Sequence, residues 1–304
     1  MDNTNFVYNV LYYVQIVTLY TPQPFVFLII IFLINEFRLP TSPLQNPFYV
    51  FIFLFTIYYN FVALGWAINY TGFVPFEMKR VYNLLILRYY TLVVGIWNTG
   101  VCLNRVTAIA MPFKHGMVWS RAMTTVFAVL FFVYPLAFQT PFMQNRCWKS
   151  VSTSECMAFH NLNMYIIAMS VIGHAVLGVL LITMALVYAR YRGWLAARSA
   201  ERKLILQTLV TSLLLICVGT TKMLAMQNYF YGNFVRHQIL SSIGTILLAL
   251  YTCVVIGGLF FASSSFRQKF IEFYRCKSCS SKVRAMYGST IEVDQIPAKK
   301  RPSL

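Results

Sequence analysis

The sequence predicts an all-α membrane protein, a bundle of seven transmembrane helices followed by a short interfacial eighth helix. First, 59% of the 304 residues are apolar and only 11% are charged, whereas about a quarter of the residues of a soluble domain are charged. Second, the apolar residues form separate runs of the roughly 20 residues that a helix needs to cross the hydrocarbon core. Third, Lys and Arg collect between alternate runs, as they do in the cytoplasmic loops of membrane proteins.

Seven apolar runs are predicted to span the membrane. They lie at about residues 11–34, 47–68, 84–110, 122–142, 163–189, 204–227 and 239–261. Thr21 and Pro22 interrupt the first run, which a transmembrane helix tolerates where neighbouring groups bond the freed carbonyl oxygens. We expect residues 1–275 to form the membrane domain and residues 276–304 to form a polar, disordered cytoplasmic tail.

A short amphipathic segment follows the seventh run. Its aromatic residues recur at helical spacing on one face: Phe266, Phe270, Phe273 and Tyr274. This spacing predicts a helix that lies in the membrane interface. Cys276 and Cys279 come directly after it, and both palmitoylation and two unmodified thiols are open interpretations of this pair.

The distribution of basic residues predicts the orientation of the chain. The formal net charge is +17, from 25 Lys and Arg against 8 Asp and Glu. With an extracellular N-terminus, 17 of the basic residues fall in the inner loops and the tail, and 7 fall on the outer side. Because cytoplasmic loops collect Lys and Arg, we expect a plasma-membrane protein with its C-terminus in the cytoplasm. The positive charge then reflects topology, and we expect no binding of nucleic acid.

Two features of the predicted outer loops agree with this orientation. Asn69-Tyr70-Thr71 is a glycosylation sequon, a triplet that also arises by chance. Cys147 and Cys156 both lie in the long outer loop at residues 143–162, where oxidation is permitted. A disulfide between them and two free thiols are both open.

The sequence contains no arrangement of residues that is typical of an enzyme. All the acidic residues lie outside the predicted spans, and both H-E-x-x-H and G-x-S-x-G are absent. We therefore expect no catalytic activity, no metal site and no cofactor. Proton-coupled transporters usually carry ionisable acids inside the membrane, so the lack of such residues also argues against that class.

A motif stands at the inner end of the third predicted span. Four residues carry it, at relative positions 0, +3, +4 and +7: Arg105, Ala108, Ile109 and Pro112. This spacing resembles the Asp/Glu-Arg-Tyr-x-Ala-Ile-x-x-Pro signature of rhodopsin-like G-protein-coupled receptors. The variant with Asn104 before the Arg, followed by Met-Pro-Phe-Lys-His and Trp119, resembles the nematode serpentine chemoreceptors, in particular the gamma/V-class superfamily.

The resemblance implies a chemosensory receptor that detects an extracellular small molecule or peptide and signals to a heterotrimeric G protein. Asn104 replaces the acid of the usual signature, and Gly257-Gly258 stands where Asn-Pro-x-x-Tyr is expected, so ordinary activation contacts are missing. Arg105 can pair with Glu201, the only acid at residues 190–203, and hold the bundle closed. The alternative is that Arg105 is one more basic anchor at the cytoplasmic side.

Five residues of the outer half are candidates for a ligand pocket: Arg88, Thr91, Trp97, His174 and Lys222. Arg88 precedes Arg105 by 17 residues, which is about 25 Å along a helix at about 1.5 Å per residue. Buried cations without nearby acids attract an anionic ligand group, while exposed ones extend to the lipid headgroups. Trp97 is either part of the core or the floor of the pocket.

Two other functions stay open at the sequence level. A ligand-gated channel or small-molecule transporter would also need a seven-helix bundle with a polar pocket. A structural or trafficking membrane protein would need no functional Arg105. The lipid bilayer is a partner in every case, whereas the G protein and an unknown extracellular ligand are partners of a receptor only.

Overall fold

The structure is a computed structural model that describes residues 3–40, 42–70, 75, 88–148, 153–192 and 199–286. In this part of the chain all regular secondary structure is helical. Seven segments of it are long and apolar enough to cross a membrane: Asn9–Arg38, Pro47–Gly65, Arg88–Ala110, Arg121–Gln144, Ser154–Tyr191, Lys203–Phe230 and Phe234–Ala262. The chain is therefore a multi-pass membrane protein, and the predicted fold class is confirmed. We refer to these segments as the first to seventh spans.

The first span is two helices, Asn3–Tyr20 and Gln23–Arg38, which meet at Thr21 and Pro22. Because a proline has no N–H, carbonyl oxygens of the preceding turn lose their usual donor. The Leu19 carbonyl oxygen accepts a hydrogen bond from the hydroxyl of Tyr59 at 3.0 Å and another from the Gln23 amide at 3.2 Å. Neighbouring side chains thus compensate for the interruption, as the sequence predicts.

Most helices extend beyond the apolar runs that predict them. The second span belongs to a helix at Pro47–Tyr70, the sixth to a helix at Ser199–Phe230, and the seventh to a helix at Phe234–Ala262. The helix of the fifth span begins at Ser154, although the sequence predicts a loop as far as residue 162. The Thr153 hydroxyl accepts a hydrogen bond from the Cys156 N–H at 3.2 Å, and this cap lets a polar first turn be helical.

The third span lies at the centre of the bundle and the fourth lies at its edge. In the most apolar window of the third span 67% of the residues are buried, against 22% in the fourth. The third span packs mainly on the fifth, the fifth also on the sixth, the sixth on the seventh, and the seventh on the first. Many exposed side chains of the spans are large and apolar, as expected for a surface that contacts lipid.

A C-terminal helix, Ser264–Met286, follows the seventh span and continues past residue 275. The Ser263 hydroxyl accepts a hydrogen bond from the Phe266 N–H at 3.1 Å and caps its first turn. Phe266 and Phe270 are buried, and their rings lie 5.4 and 5.3 Å from that of Phe32 in the first span. The aromatic face predicted from the sequence therefore packs against the bundle. The domain boundary at 275 stays a prediction.

A buried acidic residue lies in the first span, where the sequence predicts none. Glu36 is predicted in a loop, but the first span continues to Arg38 and Glu36 is only 5% exposed. Its Oε2 accepts a hydrogen bond from the Ser42 hydroxyl at 2.6 Å and pairs with the Lys269 ammonium group at 3.4 Å. The prediction that all acids lie outside the spans is thus wrong for Glu36, because two polar partners compensate for its burial. It is also wrong for Glu155, which lies exposed in the first turn of the fifth span.

Candidate functional site

A cavity of about 360 Å³ lies among the first, third, fifth, sixth and seventh spans. It is on the side of the membrane at which the third span begins, the predicted outer side. Its polar lining includes Gln15, Thr91, Lys222, His237, Ser241 and Ser242, and its apolar lining includes Met164, Ala225 and Leu248. No acidic residue is among the described residues of the lining. A cavity of this size fits a small molecule.

Lys222 extends from the sixth span across the bundle to the third. Its Nζ donates a hydrogen bond to Thr91 Oγ1 at 3.1 Å. Gly244 in the seventh span makes room for the lysine stem, since a Cβ at that position would be 3.3 Å from Lys222 Cγ. The ammonium group therefore points into the cavity, whereas a side chain that reaches the lipid headgroups would extend outward along its own helix.

The seventh span supplies much of the polar lining, which the sequence analysis missed. His237 donates its Nδ1 proton to the Ala225 carbonyl oxygen at 2.9 Å, because a carbonyl oxygen can only accept. Gln238, Ser241 and Ser242 follow on the lining face. Their helical spacing in an otherwise apolar stretch could have identified them as lining residues, since polar residues inside a membrane helix usually face the interior of the bundle.

Arg88 lies outside this cavity and belongs to a separate cluster at the start of the third span. Its Nη2 donates a hydrogen bond to His160 Nδ1 at 3.2 Å, and its guanidinium carbon is 4.9 Å from the centre of the Phe142 ring. His160 donates its Nε2 proton to the Cys147 carbonyl oxygen at 2.8 Å. Cys147 and Cys156 form a disulfide. Arg88 therefore helps to position the disulfide-bonded loop.

Trp97 and His174 join neighbouring helices and do not line the cavity. The Trp97 indole donates a hydrogen bond to the Phe51 carbonyl oxygen at 2.8 Å, which makes Trp97 part of the core. The ring nitrogens of His174 form hydrogen bonds with the hydroxyls of Thr99, at 2.9 Å, and Tyr134, at 2.8 Å. Of the five predicted pocket residues, the structure brings only Thr91 and Lys222 together at this cavity.

Arg105 lies at the other end of the third span. Its guanidinium carbon is 3.8 Å from the centre of the Phe48 ring in the second span, a favourable position for a cation. Asn104 is buried. Ile109 is buried with Ile205 of the sixth span and Ala189 of the fifth. The predicted pair of Arg105 with Glu201 stays a prediction, because the Glu201 side chain lies outside the described residues.

The segment after the third span is fixed to that span by a threonine. Thr107 Oγ1 accepts a hydrogen bond from the Trp119 indole at 2.6 Å and donates to the Leu103 carbonyl oxygen at 3.0 Å. The Trp119 ring also packs on Phe51 at 5.5 Å. Ala108 and Pro112 are half-buried in the same region. The residues of the sequence motif therefore lie in a region held together by specific contacts.

Comparison with known protein families identifies the chain. Residues 84–270, more than half of its length, match the family model described as Srg family chemoreceptor. The chain belongs to the Srg chemoreceptor family. The resemblance to nematode serpentine receptors is thereby confirmed, and this family is one of receptors, not of enzymes. No curated protein matches the chain.

The region of this Srg chemoreceptor that matches the family includes the third to seventh spans and the start of the C-terminal helix. It thus contains both Lys222 and Arg105. Three predicted modification sites lie where their side chains are outside the described residues: Asn69, Cys276 and Cys279. Glycosylation and palmitoylation of this receptor stay predictions.

Proposed function

We propose that this Srg chemoreceptor detects an extracellular small molecule or peptide and signals to a heterotrimeric G protein. The observation that carries the proposal is the Arg105 motif at the inner end of the central third span, where the fifth and sixth spans also pack. Receptor function follows from the family. G-protein coupling is our inference from the motif, since a cation at a bundle end can be uncovered when a helix moves outward.

The proposed orientation has the N-terminus outside and the C-terminus inside the plasma membrane. The excess of Lys and Arg in the inner loops and tail supports it. The disulfide between Cys147 and Cys156 supports it as well, because disulfides persist in extracellular surroundings. An epitope tag at the N-terminus is expected to bind antibody on intact cells. Binding only after permeabilisation would contradict this orientation.

The third and sixth spans can connect the two ends of the receptor. Both line the outer cavity, through Thr91 and Lys222, and both reach the inner end. Between these levels the Asn98 amide donates a hydrogen bond to Ser212 Oγ at 3.0 Å. A ligand that changes the spacing of these spans would then act on the Arg105 region.

Nucleotide exchange by a purified heterotrimeric G protein tests the coupling. We expect at least one member of a panel of water-soluble odorants and peptides to accelerate exchange by the receptor in nanodiscs, and Arg105→Ala to abolish the acceleration. Arg121→Ala is the matched control, since Arg121 is an exposed cation at the same membrane side. Equal loss in both variants would mean that Arg105 is only a basic anchor. A ligand-gated current without G protein would favour the channel alternative.

The predicted pair of Arg105 with Glu201 has its own test. If the pair holds the receptor closed, Glu201→Gln is expected to raise the basal exchange rate without any ligand. The matched control is Glu155→Gln, which changes an exposed acid at the opposite side that pairs with Arg146. An unchanged basal rate in a well-expressed Glu201→Gln receptor would contradict the pair.

A further inference from the structure

We infer that the cavity at Lys222 takes a small organic monoanion, whose carboxylate binds the Lys222 ammonium group and whose apolar part lies against Met164, Ala225 and Leu248. This inference rests on the proposed function, because it names the chemical class of ligand that the receptor detects. It goes beyond that function in assigning the site and the residue that selects the ligand.

Lys222 has more hydrogen-bond donors than the protein satisfies. An ammonium group has three N–H donors and no acceptor. One of them bonds Thr91 Oγ1, and among the described residues Lys222 forms no further hydrogen bond and no ion pair. Two donors of a partly buried cation therefore face the cavity. Burying such a charge is costly unless an opposite charge compensates for it.

The charge of the whole lining favours an anion. Its described residues contain one permanent cation and no carboxylate. A cationic ligand would meet the Lys222 charge without any compensating acid, which disfavours amines. A phosphate ester is normally held by several cations or by a row of backbone N–H groups. A single lysine with hydroxyl and amide neighbours matches one carboxylate better.

The cavity has polar and apolar walls. Gln238, Ser241 and Ser242 belong to the seventh span, which also approaches the lysine stem through Gly244. Met164, Ala225 and Leu248 provide an apolar surface within the same cavity. A ligand with one charged end and an uncharged body is therefore suited to this cavity. The volume of about 360 Å³ limits that body to a small molecule.

Arg88 is not a second cation for the same ligand. It is in contact with His160 and Phe142 instead, and it is absent from the described lining of the cavity. Lys222 and Arg88 therefore have separate roles. Lys222 selects the ligand, and Arg88 supports the disulfide-bonded loop.

The experiment compares carboxylic acids with their amides on the full-length receptor in nanodiscs, without G protein. The probes are acetate, hexanoate and phenylacetate, each against acetamide, hexanamide or phenylacetamide, and binding is read from the shift in thermal unfolding with probe concentration. We expect at least one acid to bind about 10- to 100-fold more tightly than its amide, because a hydrogen bond to a charged group contributes about 1.5–3 kcal/mol. The inference is overturned if no acid binds more tightly than its amide.

Variants then test whether Lys222 causes the preference. Lys222→Met is expected to remove the difference between acid and amide. Arg236→Met is the matched control, because it removes an exposed cation at the start of the seventh span and outside the cavity, and it is expected to keep the preference. An acid preference that survives in Lys222→Met, or that is lost equally in Arg236→Met, would overturn the assignment of Lys222.

The outcomes separate this inference from the proposed function. If an acid binds through Lys222 but never accelerates nucleotide exchange, the binding site stands and G-protein signalling is contradicted. If a molecule accelerates exchange but no acid binds more tightly than its amide, the signalling proposal stands and the carboxylate site is wrong. The comparison of acids with amides needs only the wild-type receptor, so it holds even if a variant fails to fold.

Discussion

Gly258 in the seventh span leaves space for a side chain of the sixth span, and filling that space is expected to weaken the fold. A Cβ at position 258 would lie 2.6 Å from Gln207 Cγ and closer still to the Gln207 amide group. Real Cβ contacts are essentially never shorter than 3.0 Å. The Gln207 side chain would have to move, and its hydrogen bond from Nε2 to the Val255 carbonyl oxygen, at 3.0 Å, would be lost.

Three contributions set the size of the effect of Gly258→Ala. Overpacking costs about 1–3 kcal/mol. A lost hydrogen bond between membrane helices costs about 0.6 kcal/mol on average. Alanine is favoured over glycine in a helix by about 1 kcal/mol. The free energy of unfolding is therefore expected to fall by about 0.5–2.5 kcal/mol, and the midpoint of thermal unfolding by about 2–4 °C for each kcal/mol.

Thermal unfolding of the purified receptor in nanodiscs measures this effect. Gly257→Ala is the matched control, since nothing lies within 4 Å of a Cβ at that neighbouring position, and it is expected to leave the midpoint unchanged or raise it. Gln207→Ala removes the obstruction, so adding Gly258→Ala to it is expected to cost nothing further. A midpoint that falls equally with Gly257→Ala, or a full additional loss in the double variant, would refute the reasoning.

Three further predictions concern stability and use the same measurement. Glu36→Gln is expected to lower the free energy of unfolding by about 1–3 kcal/mol, because the pair with Lys269 is lost. Adding Lys269→Met to Glu36→Gln should then lower it little further, and additive losses in the double variant would contradict the pair. Cys147→Ser with Cys156→Ser is expected to cost about 2–3 kcal/mol and to make the midpoint insensitive to reductant; a wild-type midpoint that reductant leaves unchanged would contradict this contribution of the disulfide. Trp119→Phe loses a hydrogen bond to the third span and is expected to lower the free energy of unfolding by about 1 kcal/mol. An unchanged midpoint would show that this hydrogen bond makes no net contribution to stability.

The sequence predicts the spans well and their ends poorly, for a physical reason. The thickness of the hydrocarbon core fixes the length of each apolar run, so each of the seven runs overlaps a described helix. The ends depend on polar contacts that an apolar count does not detect. The cap from Thr153 extends the fifth helix into a predicted loop, and the partners of Glu36 allow an acid in the last turn of the first span.

The sequence predicts the height of the candidate pocket residues along their helices, but it does not predict the direction in which their side chains point. Residue spacing gives height at about 1.5 Å per residue, which is why Arg88 and Lys222 were expected at a similar level in the outer half. The direction of each side chain depends on how a helix is rotated against its neighbours, and small residues decide this in membrane bundles. Trp97 and His174 have a suitable height but face other helices.

The position of Lys222 on the sixth span suggests how binding could be converted into a signal. Hydrogen bonds from Asn98 to Ser212 and from Gln207 to Val255 help to hold the middle and inner parts of this span to its neighbours. Each such bond contributes about 0.6 kcal/mol on average, whereas a bond between Lys222 and a carboxylate contributes about 1.5–3 kcal/mol. Because a ligand shifts an equilibrium by no more than its differential affinity for the two states, the charge contact is strong enough to outweigh both bonds if it forms fully in only one state. A neutral ligand in the same cavity lacks this contribution, so selection of the ligand and movement of the sixth span would depend on the same ammonium group.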